Sequence, residues 1–315
     1  MTLKQTADFL KSRDDFLILT HRSPDGDTLG SAAGLCRGLR ALGKTAHVAP
    51  NAEVGDRFRP LVSPLFPKRD GGGFETVVIV DTATAQLIPK SLKEYESAIE
   101  LAIDHHPGGG QYAPHYLTDD TCAAVGELIF LLLTELGVEL TPEIAEPLYV
   151  AIATDTGCLR YENVTSRTLR VAAELKDTGL ATAPINTELF EKKTFSRLAL
   201  EAALLQDVEL LRGGRVAVMR LTREKIEYTD ASDDDVDGIS PLARQITGVE
   251  VGVLLREEEP DDNGQPITRV SVRTGPEFDA GATCAKLGGG GHKRAAGCVL
   301  GADLDYARDL VLNAI

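Results

Sequence analysis

The chain has 315 residues, 33 basic and 48 acidic side chains, a formal net charge of −15, and 43% hydrophobic residues. That length predicts about two domains, each with enough apolar content for its own core. Holding long duplexes through their phosphates needs a basic stripe, so the acidic balance excludes a long-duplex binder; it leaves room for a small anion gripped in a local basic pocket.

No apolar run reaches the ~18 residues of a membrane helix, and no apolar stretch follows Lys4 as a signal peptide would require. The five cysteines, Cys36, Cys122, Cys158, Cys284 and Cys298, form no C-x-x-C pair. An odd, scattered set of thiols fits a reducing compartment, so a cytoplasmic protein is expected. The oligomeric state stays open, a homodimer included.

In chain order, residues 3–12 read as a short amphipathic helix. The apolar run Phe16–Leu19 stops at Thr20, and His21, Asp25 and Asp27 follow at once. Small residues from Gly30 to Leu35 then open a helix running to Leu42 and ending at Gly43. This is strand, turn, helix, and in an open α/β sheet ligands sit beyond the carboxyl ends of the strands. An imidazole with hard carboxylate oxygens suits a divalent first-row ion such as Mn²⁺. The alternative is an ordinary turn in which Asp27 caps the following helix. Thr45–Ala49 reads as a second strand, and Pro50–Gly73 as a long loop with one helical turn.

Thr76–Val80 is a β-branched strand ending at Asp81. Ser97–Ile103 is another, ending at Asp104-His105-His106. Strands separated by helical stretches imply a mostly parallel sheet, whose strand ends share one edge. Three acids at three such ends therefore converge. Helices are expected over Asp120–Leu136 and from Thr141 to Thr154, the second ending at Asp155-Thr156-Gly157. A negative charge is disfavoured at a helix carboxyl terminus, so an aspartate there wants a cation.

Ser166–Lys176 reads as a further helix and Pro184–Leu205 as a helical arm, placing a domain boundary near residue 190 (1–190 and 191–315). The second lobe reads as strand 215–221, an acidic loop 230–237 on the solvated surface, helix 240–247, and strands 249–256 and 268–273 joined as a hairpin. Helix 279–287, the glycine run 288–291 with His292, and a final strand and helix complete it. The expected fold is α/β: a mostly parallel sheet flanked by helices, then a smaller α/β lobe with a mixed sheet.

Five carboxylates, Asp25, Asp27, Asp81, Asp104 and Asp155, cannot all stay ionised in one crevice without cations. Two divalent ions, with Asp81 between them, solve the problem. Such pairs activate a water and stabilise a leaving oxygen, which argues for hydrolysis of a phosphate ester or anhydride. His106, beside a ligand His105, could donate to a non-bridging phosphate oxygen. The glycine run with His292 reads as a nest of bare N–H groups for an anion, with Lys293 and Arg294 adding charge. Arg273 at a strand end is a second candidate clamp, bidentate in the manner of arginine.

The H-x-x-x-D-x-D stretch at His21–Asp27, the strand-end Asp81, the D-H-H at 104–106 and the D-T-G at 155–157 resemble, in order and spacing, the four motifs of the DHH phosphoesterase superfamily. The G-G-G-H at 289–292 and Val270-Ser271-Val272-Arg273 resemble its first associated domain. Within that superfamily the chain is most similar to the nano-RNase and pAp phosphatase group. The resemblance implies one Mn²⁺ on His21, Asp25 and Asp81, and a second on Asp27, Asp81, His105 and Asp155. Asp104 would support these from behind, and His106 would face the substrate phosphate. Arg273, Gly289, Gly290, Gly291 and His292 would hold the nucleotide on the second lobe. The implied activity is cleavage of short single-stranded oligonucleotides to mononucleotides, and dephosphorylation of 3′-phosphoadenosine 5′-phosphate (pAp). A phosphodiesterase for cyclic or linear dinucleotides is the alternative, and a non-catalytic nucleotide-binding regulator a remote one. Cys122-Ala123-Ala124-Val125-Gly126 departs from the pattern, lacking the serines and threonine often found there.

Overall fold

Strand β1 (Phe16–Leu19) sets the organisation of the first half of the chain. In the computed structural model, which describes residues 1–68, 73–108 and 110–315, this strand is buried along its whole length. Its alternate side chains feed two different cores. Phe16 and Ile18 join one apolar cluster, while Leu17 and Leu19 join another on the opposite face, as the two-residue period of a strand requires. The chain divides into two compact units, Met1–Lys192 and Lys193–Ile315.

The first unit runs α1 (Leu3–Lys11), β1, α2 (Gly26–Ala41), β2 (Ala46–Val48), α3 (Arg59–Val62), β3 (Thr76–Val80), β4 (Ile99–Asp104) and β5 (His115–Thr118). Helices α4 (Val125–Leu136), α5 (Pro142–Asp155), α6 (Ser166–Asp177) and α7 (Thr182–Asn186) follow. The strands are all parallel in the order β2-β1-β3-β4-β5. The order reverses between β1 and β3, the switch point at which such sheets open a crevice. Strand β5 was not anticipated. It is an edge strand in which only Leu117 is buried, so it lacks a clear apolar alternation. The loop expected over 50–73 contains α3; its residues 69–72 lie outside the described residues.

Helices α2 and α4 pack on the sheet, and α5 packs on both of them. Gly26, Gly30, Gly34 and Gly38 recur every fourth residue on α2 and let it approach its neighbours closely. A Cβ on Gly30 would lie 2.3 Å from the carbonyl oxygen of Pro147, and one on Gly34 would lie 2.4 Å from the Leu148 side chain. Pro147, inside α5, has no N–H for the carbonyl of Glu143. The guanidinium of Arg37 on α2 donates to that carbonyl instead. Close packing of α2 on α5 brings Asp27 and Asp155, at their facing ends, into one neighbourhood.

The expected arm over 184–205 is not one helix. The chain leaves α7 through a π-helical turn, Thr187–Glu191, and restarts at α8 (Phe195–Gln206), capped where Thr194 accepts from the Arg197 N–H at 2.9 Å. The rest of the second unit contains β6 (Glu209–Leu211), β7 (Val216–Leu221), α9 (Arg223–Thr229), α10 (Asp233–Val236), β8 (Val251–Glu257), β9 (Thr268–Thr274), α11 (Ala280–Ala285), β10 (Gly290–Gly291), β11 (Ala295–Leu300) and α12 (Leu304–Ala314). Its six-stranded sheet runs β10-β11-β9-β8-β7-β6, with β7 and β8 parallel and the other pairs antiparallel. Residues 240–247, expected as a helix, form a 3₁₀ segment, Ser240–Gln245. The acidic stretch is also not simply solvated. Asp235 is buried and accepts from Ser232 N–H and hydroxyl at 2.9 and 2.8 Å and from the Thr194 hydroxyl.

Candidate metal centre

Each acidic side chain of the first unit reaches the crevice from a defined terminus. His21 and Asp25 lie between β1 and α2. Asp25, not Asp27, is the cap of α2: its Oδ1 accepts from the N–H groups of Asp27 and Thr28 at 3.0 and 3.1 Å. Asp27 therefore sits inside the first turn, buried. Its carboxylate accepts from the Ser31 hydroxyl at 3.1 Å and from the N–H groups of Val125 and Gly126 at 2.7 and 2.9 Å. Ala124, at the cap position of α4, has no side chain to do this. Asp81 directly follows β3 with φ at +52°, a left-handed conformation rare for a residue with a Cβ. Its own N–H donates to Ile103 O at 2.9 Å. Asp104 is the last residue of β4 and Asp155 the last of α5.

Both carboxylate oxygens of Asp81 face a histidine. Oδ2 is 3.4 Å from His21 Nε2, and Oδ1 is 3.9 Å from His105 Nε2. His21 Nε2 is also 3.8 Å from Asp25, and His105 Nε2 is 3.5 Å from Asp155 and 3.9 Å from Asp27. Potential ligand atoms of His21, Asp25 and Asp81 lie within 4.8 Å of one another, as do those of Asp27, His105 and Asp155, and those of Asp81, His105 and His106.

The tautomers follow from the partners. His21 Nδ1 bonds the Arg22 carbonyl at 2.7 Å, and His105 Nδ1 bonds the Cys122 carbonyl at 3.1 Å. A carbonyl only accepts, so each Nδ1 carries the hydrogen. In the neutral ring each Nε2 then turns a lone pair toward the acids. This is how a ligating histidine is usually oriented.

The electrostatics match. Burial, then the charges of Asp27, Asp25, Asp155 and Asp104, push the Asp81 carboxyl well above the usual carboxylate range. Burial and the Asp27 and Asp25 charges push Asp155 the same way. Burial raises Asp27, opposed by His105. Asp104 goes down instead: burial is outweighed by hydrogen bonds, since its Oδ1 accepts from His106 Nδ1 at 2.8 Å and from the N–H groups of His105 and His106 at 2.8 and 3.2 Å. The same bond raises His106. Asp81 Oδ1 is buried without a hydrogen-bond partner among the described residues, although the residue is only 4% exposed. This orphaned oxygen, 3.9 Å from His105 Nε2 and 3.6 Å from His106 Nδ1, fits a divalent cation better than a proton.

In the second unit, Arg273 lies in β9 opposite Ala295 of β11, and its Nη1 donates to the Val272 carbonyl at 3.1 Å. The glycine run is not a nest of bare N–H groups. Gly288 and Gly289 donate to Ala285 and Cys284 at 3.2 and 2.9 Å, and His292 donates to Ala295 O at 2.8 Å. Gly290 and Gly291 pair with β11 as a short strand. What glycine supplies here is close approach: a Cβ on Gly289 would lie 2.2 Å from the Gly297 carbonyl oxygen. Arg294 is held by the Gly275 and Phe278 carbonyls at 2.6 and 3.2 Å, so it braces the hairpin rather than simply adding charge to it.

Sequence reasoning missed the groups that hold the first loop in place. Asn51 Nδ2 donates to the His21 carbonyl at 2.9 Å and to the Thr20 hydroxyl at 3.1 Å, and Glu53 accepts from Ser23 N–H at 2.8 Å. A polar Asn51 three residues past β2, on a parallel edge beside β1, is the available signal.

The amino-terminal part of the chain, residues 15–152, matches the model of the DHH family, N-terminal domain, and residues 213–315 match that of the DHHA1 domain. The chain is 34% identical to the bifunctional oligoribonuclease and PAP phosphatase NrnA of Thermus thermophilus, over 99% of this chain and 93% of that protein. It is 28% identical to the protein of the same name from Bacillus subtilis, over 90% and 88% of the two chains. A crystal structure of an exopolyphosphatase-related protein from Bacteroides fragilis superposes with a TM-score of 0.83 over 99% of this chain and 94% of that one, at 22% identity, which shows a shared fold. Since the first of these relatives is matched over 93% of its length at 34% identity, and since the strand-end acids of that family's motifs meet in one crevice here, the chain belongs to the DHH family of phosphoesterases and carries the DHHA1 domain associated with it.

Proposed function

We propose that the protein is a two-ion, Mn²⁺-dependent phosphohydrolase that cleaves short single-stranded oligonucleotides to mononucleotides and removes the 3′-phosphate of pAp. One observation carries this reading: two sets of ligand atoms, His21–Asp25–Asp81 and Asp27–His105–Asp155, each within 4.8 Å, with one oxygen of Asp81 turned toward a histidine of each set. The names of the two relatives support the substrate class, and the net charge of −15 supports a small substrate over a long duplex. Five unpaired cysteines support a cytoplasmic setting.

His21, Asp25 and Asp81, and Asp27, His105 and Asp155, would hold the two ions, which when bound would supply the positive charge that activates a water and stabilises a leaving oxygen. The chain's own residues do the rest. Asp104 fixes His106 through Nδ1 and favours its protonated form, in which the opposite ring edge offers Nε2–H to a non-bridging phosphate oxygen. His106 and Asp104 are thus the catalytic pair that stabilises charge on the transferring group. Residues 191–315 hold the nucleotide through Arg273, His292, Gly289 and the short strand of Gly290 and Gly291, three glycines of which Gly290 alone leaves open space where a side chain would stand; residues 1–190 carry the chemistry.

The test is product analysis on end-labelled RNAs of two to five nucleotides with Mn²⁺, with pAp as competitor. Mononucleotides from every length, suppressed by pAp, are expected. Turnover confined to cyclic or linear dinucleotides would replace this reading with a dinucleotide phosphodiesterase; nucleotide binding without any product would replace it with a regulator.

A further inference from the structure

Three ligands of the second set come from three different elements: Asp27 from α2, His105 from the end of β4, and Asp155 from the end of α5. What brings them into register is the loop Asp119–Ala124, and that loop has its own support. Glu127 is fully buried. Its Oε2 accepts from the Ala123 N–H at 3.1 Å and the Thr168 hydroxyl at 2.9 Å; its Oε1 accepts from Arg167 Nε at 2.5 Å. Arg167 Nη2 then donates to the Thr121 hydroxyl and to Cys122 Sγ, each at 3.1 Å, and Nη1 lies 3.4 Å from Asp119. One guanidinium fork thereby ties α6 to the buried start of α4 and to the loop before it.

Asn163 closes the frame. Its Nδ2 donates both to the Ala123 carbonyl at 3.0 Å and to the Asp155 carbonyl at 3.1 Å. The loop so held has two outputs. The Cys122 carbonyl takes the His105 Nδ1 hydrogen, and the N–H groups of Val125 and Gly126 take both oxygens of Asp27. His105 bonds the carbonyl of Cys122, whose Sγ Arg167 holds; the Asp155 carbonyl accepts from Asn163 itself; and Asp27 bonds the two residues that directly follow Ala124, next to the Ala123 that Glu127 and Asn163 hold. No comparable tie from this frame reaches His21, Asp25 or Asp81 among the described residues.

We infer that Arg167 and Asn163 are positioning residues: without touching the ligand atoms of the Asp27–His105–Asp155 set, they fix its geometry and its affinity for a divalent ion, and leave the His21–Asp25–Asp81 set alone. This rests on the two-ion reading above. An arginine suits the role because its planar fork spans the Glu127 carboxylate and the loop together, which a lysine's point charge cannot.

The experiment is a Mn²⁺ titration of the chelator-stripped full chain, read by the electron paramagnetic resonance of free Mn²⁺ and by calorimetry, on the parent and on Arg167→Ala, Arg167→Lys and Asn163→Ala. The parent should bind two Mn²⁺. Supports of this kind change metal affinity by roughly 10–100-fold. In Arg167→Ala and Asn163→Ala one of the two affinities should weaken by about that factor while the other stays within about twofold; Arg167→Lys should recover only part of the loss. Nitrogen chemical shifts should show His105 losing its fixed Nδ1–H form in the stripped Arg167→Ala protein. Asn163 lies on an exposed turn, so its variant should fold even if Arg167→Ala does not. A parent that binds fewer than two Mn²⁺ would overturn the two-ion reading itself. A parent that binds two, with variants that bind both unchanged or weaken both equally, would overturn the positioning role and leave the two-ion reading standing.

Discussion

Gly30 of α2 stands directly against the carbonyl oxygen of Pro147 on α5, so close that an added Cβ would lie 2.3 Å from that oxygen and 2.9 Å from the Ala151 nitrogen. Both obstacles are backbone and cannot step aside. Gly34, one turn on, faces only the Leu148 side chain, at 2.4 Å.

The two positions should therefore respond differently to the same change. Gly30→Ala should destabilise the protein by about 1–3 kcal/mol through overpacking, and should lower kcat as α5, which carries Asp155, is displaced from α2. Gly34→Ala should stay within about 1 kcal/mol of the parent, because leucine can move and alanine is the better helix former. Urea unfolding of both variants checks this; equal losses would show that the helices yield as rigid bodies.

Stability should depend on pH in opposite senses with and without metal. Asp81, Asp155 and Asp27 bind their protons more tightly folded than unfolded. A raised folded pKa gives stability that is fully present below the ordinary carboxylate range and is lost as pH rises through the raised value. His106, raised above its ordinary value, acts in the same direction at higher pH, whereas Asp104, held low, acts oppositely and only in acid. Chelator-treated protein should thus melt at progressively lower temperature from about pH 5 to 8. Asp81→Asn should flatten that slope and abolish the gain in Tm on adding Mn²⁺. In the parent, Mn²⁺ should reverse the slope, because its ligands must be deprotonated. A stripped parent and Asp81→Asn variant with superimposable pH profiles would refute the account.

His106 draws its raised pKa mainly from Asp104. His106→Asn should lower kcat by about 10²–10⁴-fold with KM and Mn²⁺ affinity near those of the parent. Asp104→Asn should shift the alkaline limb of the pH dependence of kcat/KM toward lower pH, since the imidazole then loses its proton earlier. An unshifted limb in Asp104→Asn would mean that another group donates.

Much of this was legible because strand and site share one signal. Apolar runs that stop at an acid gave β1, β3 and β4, and with them the shared edge on which His21, Asp25, Asp81 and Asp104 stand. What escaped depends on contacts far apart in sequence. The helix expected from Asp120 starts only at Val125 and takes its cap from Asp27, 98 residues before Val125. Strand β5 and strand β6 are short, half-exposed edge strands and lack the periodicity that marks a buried one. The acidic stretch 230–237 looked solvated because nothing local announces that Thr194 and Arg197 would turn inward to Asp235. The glycine run reads as bare N–H groups for an anion, whereas the fold uses its lack of side chains against β11.

Asp27 is committed twice. Its carboxylate faces the crevice beside His105 and at the same time stands in for the side chain that Ala124 lacks at the head of α4. A descendant that gave up hydrolysis would thus gain little freedom at position 27, since replacing the acid would leave the start of a core helix unsatisfied. Retention of this one aspartate in a divergent copy would then testify to architecture alone, while the fate of Asp155, which caps no helix, would tell whether the chemistry had survived.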